Sequence, residues 1–184
     1  MSAQPTGDAL LRGAALTKHF PVKSGLLQRE TAHVQAVDGV DIEVRPGETL
    51  GLVGESGCGK STLGRCLVRL HDLTSGTLTY DGRDISKLSR RELRPLRREL
   101  QIVFQDPYAS LNPRMTVFDS VAEPMRVHGT VPSAQIAGRV AELMQMVGLA
   151  PRFMKKYPHE FSGGQRQRIA IARALALNPK VILA

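Results

Sequence analysis

Residues Gly54-Glu55-Ser56-Gly57-Cys58-Gly59-Lys60-Ser61 follow the pattern Gly, four residues of any type, Gly, Lys, then Ser or Thr. Glycines at 54, 57 and 59 permit backbone conformations closed to other residues. The N–H groups of the stretch can therefore turn inward around a polyphosphate at the start of a helix. Lys60 offers a point charge to the β and γ phosphates. The Ser61 hydroxyl is a hard oxygen ligand of the kind Mg2+ takes. Cys58 occupies an unconstrained position and is expected to be tolerated rather than reactive. A second stretch, Phe161-Ser162-Gly163-Gly164-Gln165, places a serine and two small glycines at the opening of a helix. Free N–H groups and the positive end of the helix dipole then face an anion, which makes half of an anion pocket.

The elements that must hold these residues can be read from periodicity. Gly47 to Gly54 is a short apolar run bounded by turn residues, which predicts a buried parallel strand at about Thr49 to Val53. After the glycine turn, Lys60 to Leu70 puts Leu63, Cys66, Leu67 and Leu70 at helical spacing. Upstream, Leu10 to Phe20 and Val34 to Val44 read as strands joined by a polar loop, and Gly76 to Tyr80 as another before Asp81-Gly82. Ser89 followed by Glu92 fits a capping box, so a basic helix carrying Arg90, Arg91, Arg94, Arg97 and Arg98 is expected there, kinked or shortened by Pro95. Its arginines are expected to form a solvated face.

Ile102 to Phe104 is a short strand candidate. Thr116 to Val127, Ser133 to Val147 and Gly163 to Ala176 read as helices, the second with Ile136, Val140, Leu143, Met144 and Val147 on one core-facing stripe. Asn178-Pro179 closes the third, and a strand begins at Val181.

The chain has 184 residues, 42% hydrophobic and 23% charged, which excludes disordered and collagen-like classes. No apolar stretch approaches the roughly 20 residues of a membrane-spanning helix, and the opening residues lack a basic-then-apolar secretory pattern, so a cytoplasmic location is expected. Lys and Arg number 25 against 17 Asp and Glu, a formal net charge of +8. That charge admits nucleotides, nucleic acid or a membrane face as anionic partners without choosing among them. The two cysteines, Cys58 and Cys66, make neither a disulfide framework nor a paired zinc site.

The chain resembles the ATP-binding subunits of ABC transporters. Phe161-Ser162-Gly163-Gly164-Gln165 is a close variant of their signature Leu-Ser-Gly-Gly-Gln, and the continuation Arg166 to Leu175 is similar too. The likeness runs from about Leu10 to Ala184. It implies an α/β fold: a P-loop NTPase, RecA-like core with an N-terminal antiparallel β-subdomain and an inserted helical subdomain. It assigns 1–104 and 161–184 to the nucleotide-binding core and β-subdomain, and 105–160 to the helices that dock on a permease.

It also implies ATP and Mg2+ as cofactors. Gly54, Glu55, Ser56, Gly57, Cys58, Gly59, Lys60, Ser61 and Thr62 are then nucleotide-binding residues, Phe20 the aromatic that stacks on adenine, and Ser61 and Gln105 the contacts to Mg2+. Phe161, Ser162, Gly163, Gly164 and Gln165 would act on ATP held by a second ATPase subunit, in a head-to-tail homo- or heterodimer. Asp106-Pro107-Tyr108-Ala109-Ser110-Leu111-Asn112-Pro113-Arg114 and Tyr157-Pro158-His159-Glu160 are similar to the dipeptide, oligopeptide and glutathione importers. That branch implies two transmembrane permease subunits, indirectly an extracytoplasmic solute-binding protein, a peripheral place on the cytoplasmic face of the inner membrane, and no nucleic acid.

The family's next motif is an apolar strand ending in Asp-Glu, of which Val181-Ile182-Leu183-Ala184 supplies the strand. With that pair and the switch histidine absent, no catalytic residue is assigned within the chain. The expectation is a fragment of a longer reading frame that binds nucleotide and turns it over negligibly. The alternative function is an ABC-type ATPase of nucleic-acid or ribosome work. Only 102 residues separate Lys60 from Ser162, which leaves no room for the long coiled coil of chromosome-type members.

Overall fold

The computed structural model of the chain describes residues 9–24, 29–106 and 110–184. Contacts divide it into two compact units, Met1–Leu93 and Arg94–Ala184.

The first unit is built on a long antiparallel hairpin, β1 (Leu11–Ser24) with β2 (Arg29–Val44). Both strands run further than their apolar alternation predicts, because antiparallel pairing resumes past register shifts at Gly13/Leu16, Leu16/Lys18, Lys18/His19 and Val22/Lys23. Helix α1 (Lys60–Leu67) packs on this hairpin through Leu63, Cys66 and Leu67. Strand β3 (Ser75–Tyr80) pairs with β1, and the short β4 (Arg83–Asp84) pairs with β3, giving the antiparallel order β2-β1-β3-β4. Leu11, Leu16, Leu78 and Ile85 are fully buried in this unit.

Two expectations are corrected here. The helix from Lys60 stops at Leu67, not Leu70, because Arg69 takes a left-handed conformation with φ 54°. Thr49 to Val53 forms no strand. Val53 is 96% exposed, and no described residue pairs with the run. A strand with so continuous an apolar run is stable only between parallel neighbours, whereas the sheet of this unit is antiparallel throughout. At the end of the unit, α2 (Arg90–Leu93) has the expected capping box. The Ser89 N–H donates to Glu92 Oε2 at 2.9 Å, and the Glu92 N–H to Ser89 Oγ at 3.4 Å. The helix is a single turn, and after Pro95 the chain makes only a 3-10 turn over Leu96–Arg98. Arg90, Arg91, Arg94 and Arg98 are exposed.

The second unit pairs β5 (Leu100–Ile102) in parallel with β6 (Val181–Leu183). The strand lies two residues before the expected Ile102 to Phe104, and Phe104 is 36% exposed. Helices α3 (Val117–His128), α4 (Ile136–Met146) and α5 (Gly163–Leu175) stand within about two residues of their predicted bounds, the start of the second being a 3-10 turn over Ser133–Gln135. They enclose one core of Val117, Val121, Met125, Val140, Leu143 and Ile169, each fully buried. The amphipathic spacing therefore faces inward as read. Among the described residues no helix is long and apolar enough to cross a membrane. Pro107, Tyr108 and Ala109 lie outside the described residues.

Helix α3 is capped by Thr116, whose Oγ1 accepts from the Asp119 N–H at 3.1 Å and donates to Asp119 Oδ2 at 2.7 Å. Arg126 adds a 3.1 Å bond to Oδ1. The Thr116 hydroxyl and then Arg126 hold the Asp119 carboxyl below its ordinary range. A lowered carboxylate pKa adds stability that is complete above the unfolded value, about 3.9, and is lost as pH falls below it. The urea midpoint of the second unit is therefore expected to hold from about pH 6 to about pH 5 and to drop as pH falls through about 4, and Asp119→Asn to blunt that drop. Leu143→Ala, at a site with no accessible surface, is expected to cost about 2–5 kcal/mol in the same unfolding assay.

Candidate functional site

The glycine loop reaches α1 through two left-handed residues, Gly57 at φ 85° and Gly59 at φ 94°. Gly59 is doubly constrained, because a Cβ there would also drive into the carbonyl oxygen of Ala36 on β2. Only a glycine lets the loop pass this close to the strand. Gly59 is the N-cap of α1 and offers no side-chain cap. The first internal bond is Leu63 N–H to Gly59 O at 2.8 Å, which leaves the N–H groups of Lys60, Ser61 and Thr62 ahead of it. No acidic side chain occupies the first turn. This end of α1 thus presents donors and a positive dipole to an anion.

The Lys60 ammonium folds back over the loop. Its Nζ donates to the carbonyls of Gly54 at 2.8 Å and Glu55 at 2.5 Å, and lies 3.5 Å from Cys58 Sγ. These neutral partners leave the lysine's charge uncompensated, so a polyphosphate entering the loop would meet a cation already held over it. Ser61 is exposed at the first turn, where a hydroxyl can reach a hard cation. A cleft of about 370 Å³ opens beside the loop, lined among others by Gln35, Asp38, Cys58 and Lys60. Cys66, unlike Cys58, is buried, and burial pushes its thiol up from the ordinary value.

Phe20 lies on β1 with its ring edge-on to His71 at 5.6 Å between centroids and the Lys18 ammonium 4.9 Å from its centre. It is half-buried, not a core residue. Burial, with the nearby Arg65 and Lys18 charges, lowers the His71 pKa from its ordinary value.

In the second unit Ser162 caps α5 by a reciprocal box. Ser162 Oγ accepts from the Gln165 N–H at 3.3 Å, and the Ser162 N–H donates to Gln165 Oε1 at 3.0 Å. Nothing lies within 4 Å of where a Cβ would stand on Gly163 or Gly164, so the helix opens onto free space. Gln165 is thereby spent on the cap. Phe161 is a core residue, 5% exposed and edge-on to Phe153 at 6.0 Å, so it seats the motif from beneath. Gln105 is exposed just beyond β5.

Sequence reasoning missed the arginines that fasten α5. Arg166 donates to the Pro158 carbonyl at 2.8 Å, Arg168 to that of Val147 at 3.1 Å, and Arg173 to that of Ser110 at 2.6 Å. Their regular presence in the run Arg166 to Arg173 was visible, but an arginine bound to a distant backbone carbonyl carries no mark in sequence.

A family model described as ABC transporter matches residues 37–184. The chain belongs to the ABC transporter family. It is 57% identical over 178 residues to the glutathione import ATP-binding protein GsiA of Escherichia coli K12, and equally so to that of a second E. coli strain. The match takes in 97% of this chain but only 29% of the length of those relatives. Among solved structures, the ATP-binding cassette MJ0796, in a dimeric post-hydrolysis state with ADP and Pi, has a TM-score of 0.81 at 32% identity over 94% of this chain and 72% of that one. The cbiO1 protein of Clostridium perfringens, part of the ABC transporter complex cbiONQ, has a TM-score of 0.76 at 28% identity, covering 96% and 64%. The fold is accordingly that of the ATP-binding cassettes of the ABC transporter family.

Two substitutions test the local geometry. Gly59→Ala forces a Cβ onto a left-handed residue and against Ala36, and is expected to destabilise the first unit by more than about 1 kcal/mol in urea unfolding. Ser162→Ala removes one half of the α5 box and is expected to cost about 1 kcal/mol in the second unit.

Proposed function

We propose that this ABC cassette binds MgATP and, as part of a complete transporter, couples ATP binding and hydrolysis to import of glutathione, peptides or similar small solutes. The observation that carries the proposal is the glycine loop at the start of α1, where Lys60 Nζ stands 2.8 Å from the Gly54 carbonyl above uncapped helix N–H groups. On ATP entry the ammonium exchanges these carbonyls for the β and γ phosphates, a charge-assisted contact that neutral carbonyls cannot match. The backbone from Gly54 to Thr62 cradles the phosphates. The Ser61 hydroxyl would hold Mg2+, which when bound would supply positive charge against that gathering on the γ-phosphate, and Gln105 is taken separately as a nucleotide contact. Phe20 stacks on adenine.

The open N-terminus of α5, headed by Ser162 and the paired glycines, is a second anion site. In this reading it meets the γ-phosphate of ATP held by another ATPase subunit, so nucleotide joins two subunits head to tail. The dimeric state of the MJ0796 cassette supports that arrangement. The name of the GsiA relatives supports a glutathione-like cargo, and the cbiONQ assembly of cbiO1 supports association with permease subunits. The working position is peripheral, on the cytoplasmic face of the membrane, where a formal charge of +8 suits anionic lipid. The transporter relatives favour import over nucleic-acid work.

Lys60→Ala tests the reading. MgATP affinity, followed by displacement of a fluorescent ATP analogue, is expected to fall at least about 30-fold, the equivalent of about 2 kcal/mol for a charge-assisted contact. Unchanged affinity would contradict it. Solute uptake by the complete transporter is expected to disappear with the same substitution.

A further inference from the structure

Arg69 lies just past the end of α1, on the stretch that returns to β1, and although charged it is only 4% exposed. A buried guanidinium is costly unless its donors are met, a cost that an apolar side chain of similar size would not carry. Here all three nitrogens have partners. Nε donates to the Ile85 carbonyl at 2.9 Å, Nη2 to that of Leu88 at 3.3 Å, and Nη1 to that of His71 at 3.3 Å and to Asp72 Oδ1 at 2.9 Å. The Asp72 side chain is 87% exposed, so water screens that pair and the carbonyls do most of the holding. The planar fork thus ties the His71 main chain to the segment that the fully buried Ile85 anchors in the core. Beyond His71 the chain is fastened to β1. The Thr74 N–H donates to the Thr17 carbonyl at 2.8 Å, and Thr74 Oγ1 accepts from the His19 N–H at 3.0 Å. Held from both sides, His71 meets the Phe20 ring at an interplanar angle of 84°. Of the two contacts described for that ring, Lys18 lies on the same strand and moves with it, whereas His71 comes from outside β1. An edge-on aromatic contact fixes the tilt of a ring, which burial of area alone does not.

We propose that Arg69 is a positioning residue which, through His71, sets the tilt at which the Phe20 ring meets a purine base. The consequence for binding rests on the reading of Phe20 as the adenine contact, while the hold on the ring is a property of this unit without ligand. Arg69 acts through the chain it holds and not on the base. Because it closes the helix that the phosphate loop opens, one short piece of chain sets both the phosphate end and the base end of the site. A lysine there would keep the charge and lose the fork that spans three carbonyls.

Two readouts on the 184-residue chain keep the hold on the ring apart from the adenine reading. Without ligand, Arg69→Met is expected to move the Phe20 ring resonances towards those of His71→Ala, which removes the imidazole and leaves the guanidinium bonds to main chain in place. With ligand, Arg69→Met is expected to weaken ATP about 3- to 10-fold, the scale of an aromatic pair, while magnesium tripolyphosphate affinity stays within about 2-fold. Phe20→Ala is expected to weaken ATP by at least as much, and Arg69→Met to add nothing further in that background. Arg69→Lys is expected to act in the same direction at smaller amplitude, and it replaces the Met variant should that one fail to fold. Ring resonances that stay in place overturn the proposal. So does an equal loss of ATP and tripolyphosphate affinity, which a merely structural role would give, or a loss that adds to that of Phe20→Ala. Unchanged ATP affinity in Phe20→Ala would instead overturn the adenine reading, and the ring resonances alone then decide the hold.

Discussion

The first unit depends on one tight approach, the left-handed Gly59 against the Ala36 carbonyl of β2. It decides where α1 begins, and hence which N–H groups stand open at its head. Because the N-cap has no side chain, no hydroxyl or carboxylate competes for those donors, as one would in an ordinary helix start. Lys60 then binds neutral groups of the loop, the Gly54 and Glu55 carbonyls and Cys58 Sγ. The stability normally contributed by a good N-cap is thus given up where an anion can replace it, a local exception to the usual preferences.

The helix at the other chemical stretch is built by the opposite rule. Ser162 and Gln165 form a full capping box, so α5 is stable without a ligand, and only the glycines after the serine keep its approach clear. Arginines 166, 168 and 173 then tie the helix to three separate segments through backbone carbonyls. A helix held at its head by its own cap and along its length by long side chains is a stiff carrier, suited to presenting an anion site at a fixed orientation. The likeness to ATP-binding cassettes at TM-scores of 0.76 and 0.81 places both features in a family that works by nucleotide.

Much of this was legible from residue types. The stripe of Ile136, Val140, Leu143 and Met144 faces the core as its spacing requires, and the Ser89 box forms. Those signals are local, so tertiary context had little to override. Thr49 to Val53 failed because a parallel strand exists only with neighbours from elsewhere in the chain, and an apolar run cannot show whether they are supplied. Phe161 read as a motif residue and proved to be core, since a signature records position and not the side of the backbone a ring takes. The grip of Arg173 on Ser110 spans 63 residues and ends on a main-chain carbonyl, which any residue could provide. The β5 strand lay two residues from its expected place because its register follows β6, not its own apolarity.

A phosphate site at the loop before α1, as proposed, requires polyphosphate and not the nucleoside to be its main ligand. Titrating the amide resonances of the chain with magnesium tripolyphosphate and, separately, with adenosine separates the two most directly. Tripolyphosphate alone is expected to move the amides of residues 57–62, and adenosine to leave them in place. Amides at 57–62 that stay still up to about 10 mM tripolyphosphate, or that respond to adenosine alone, would contradict it.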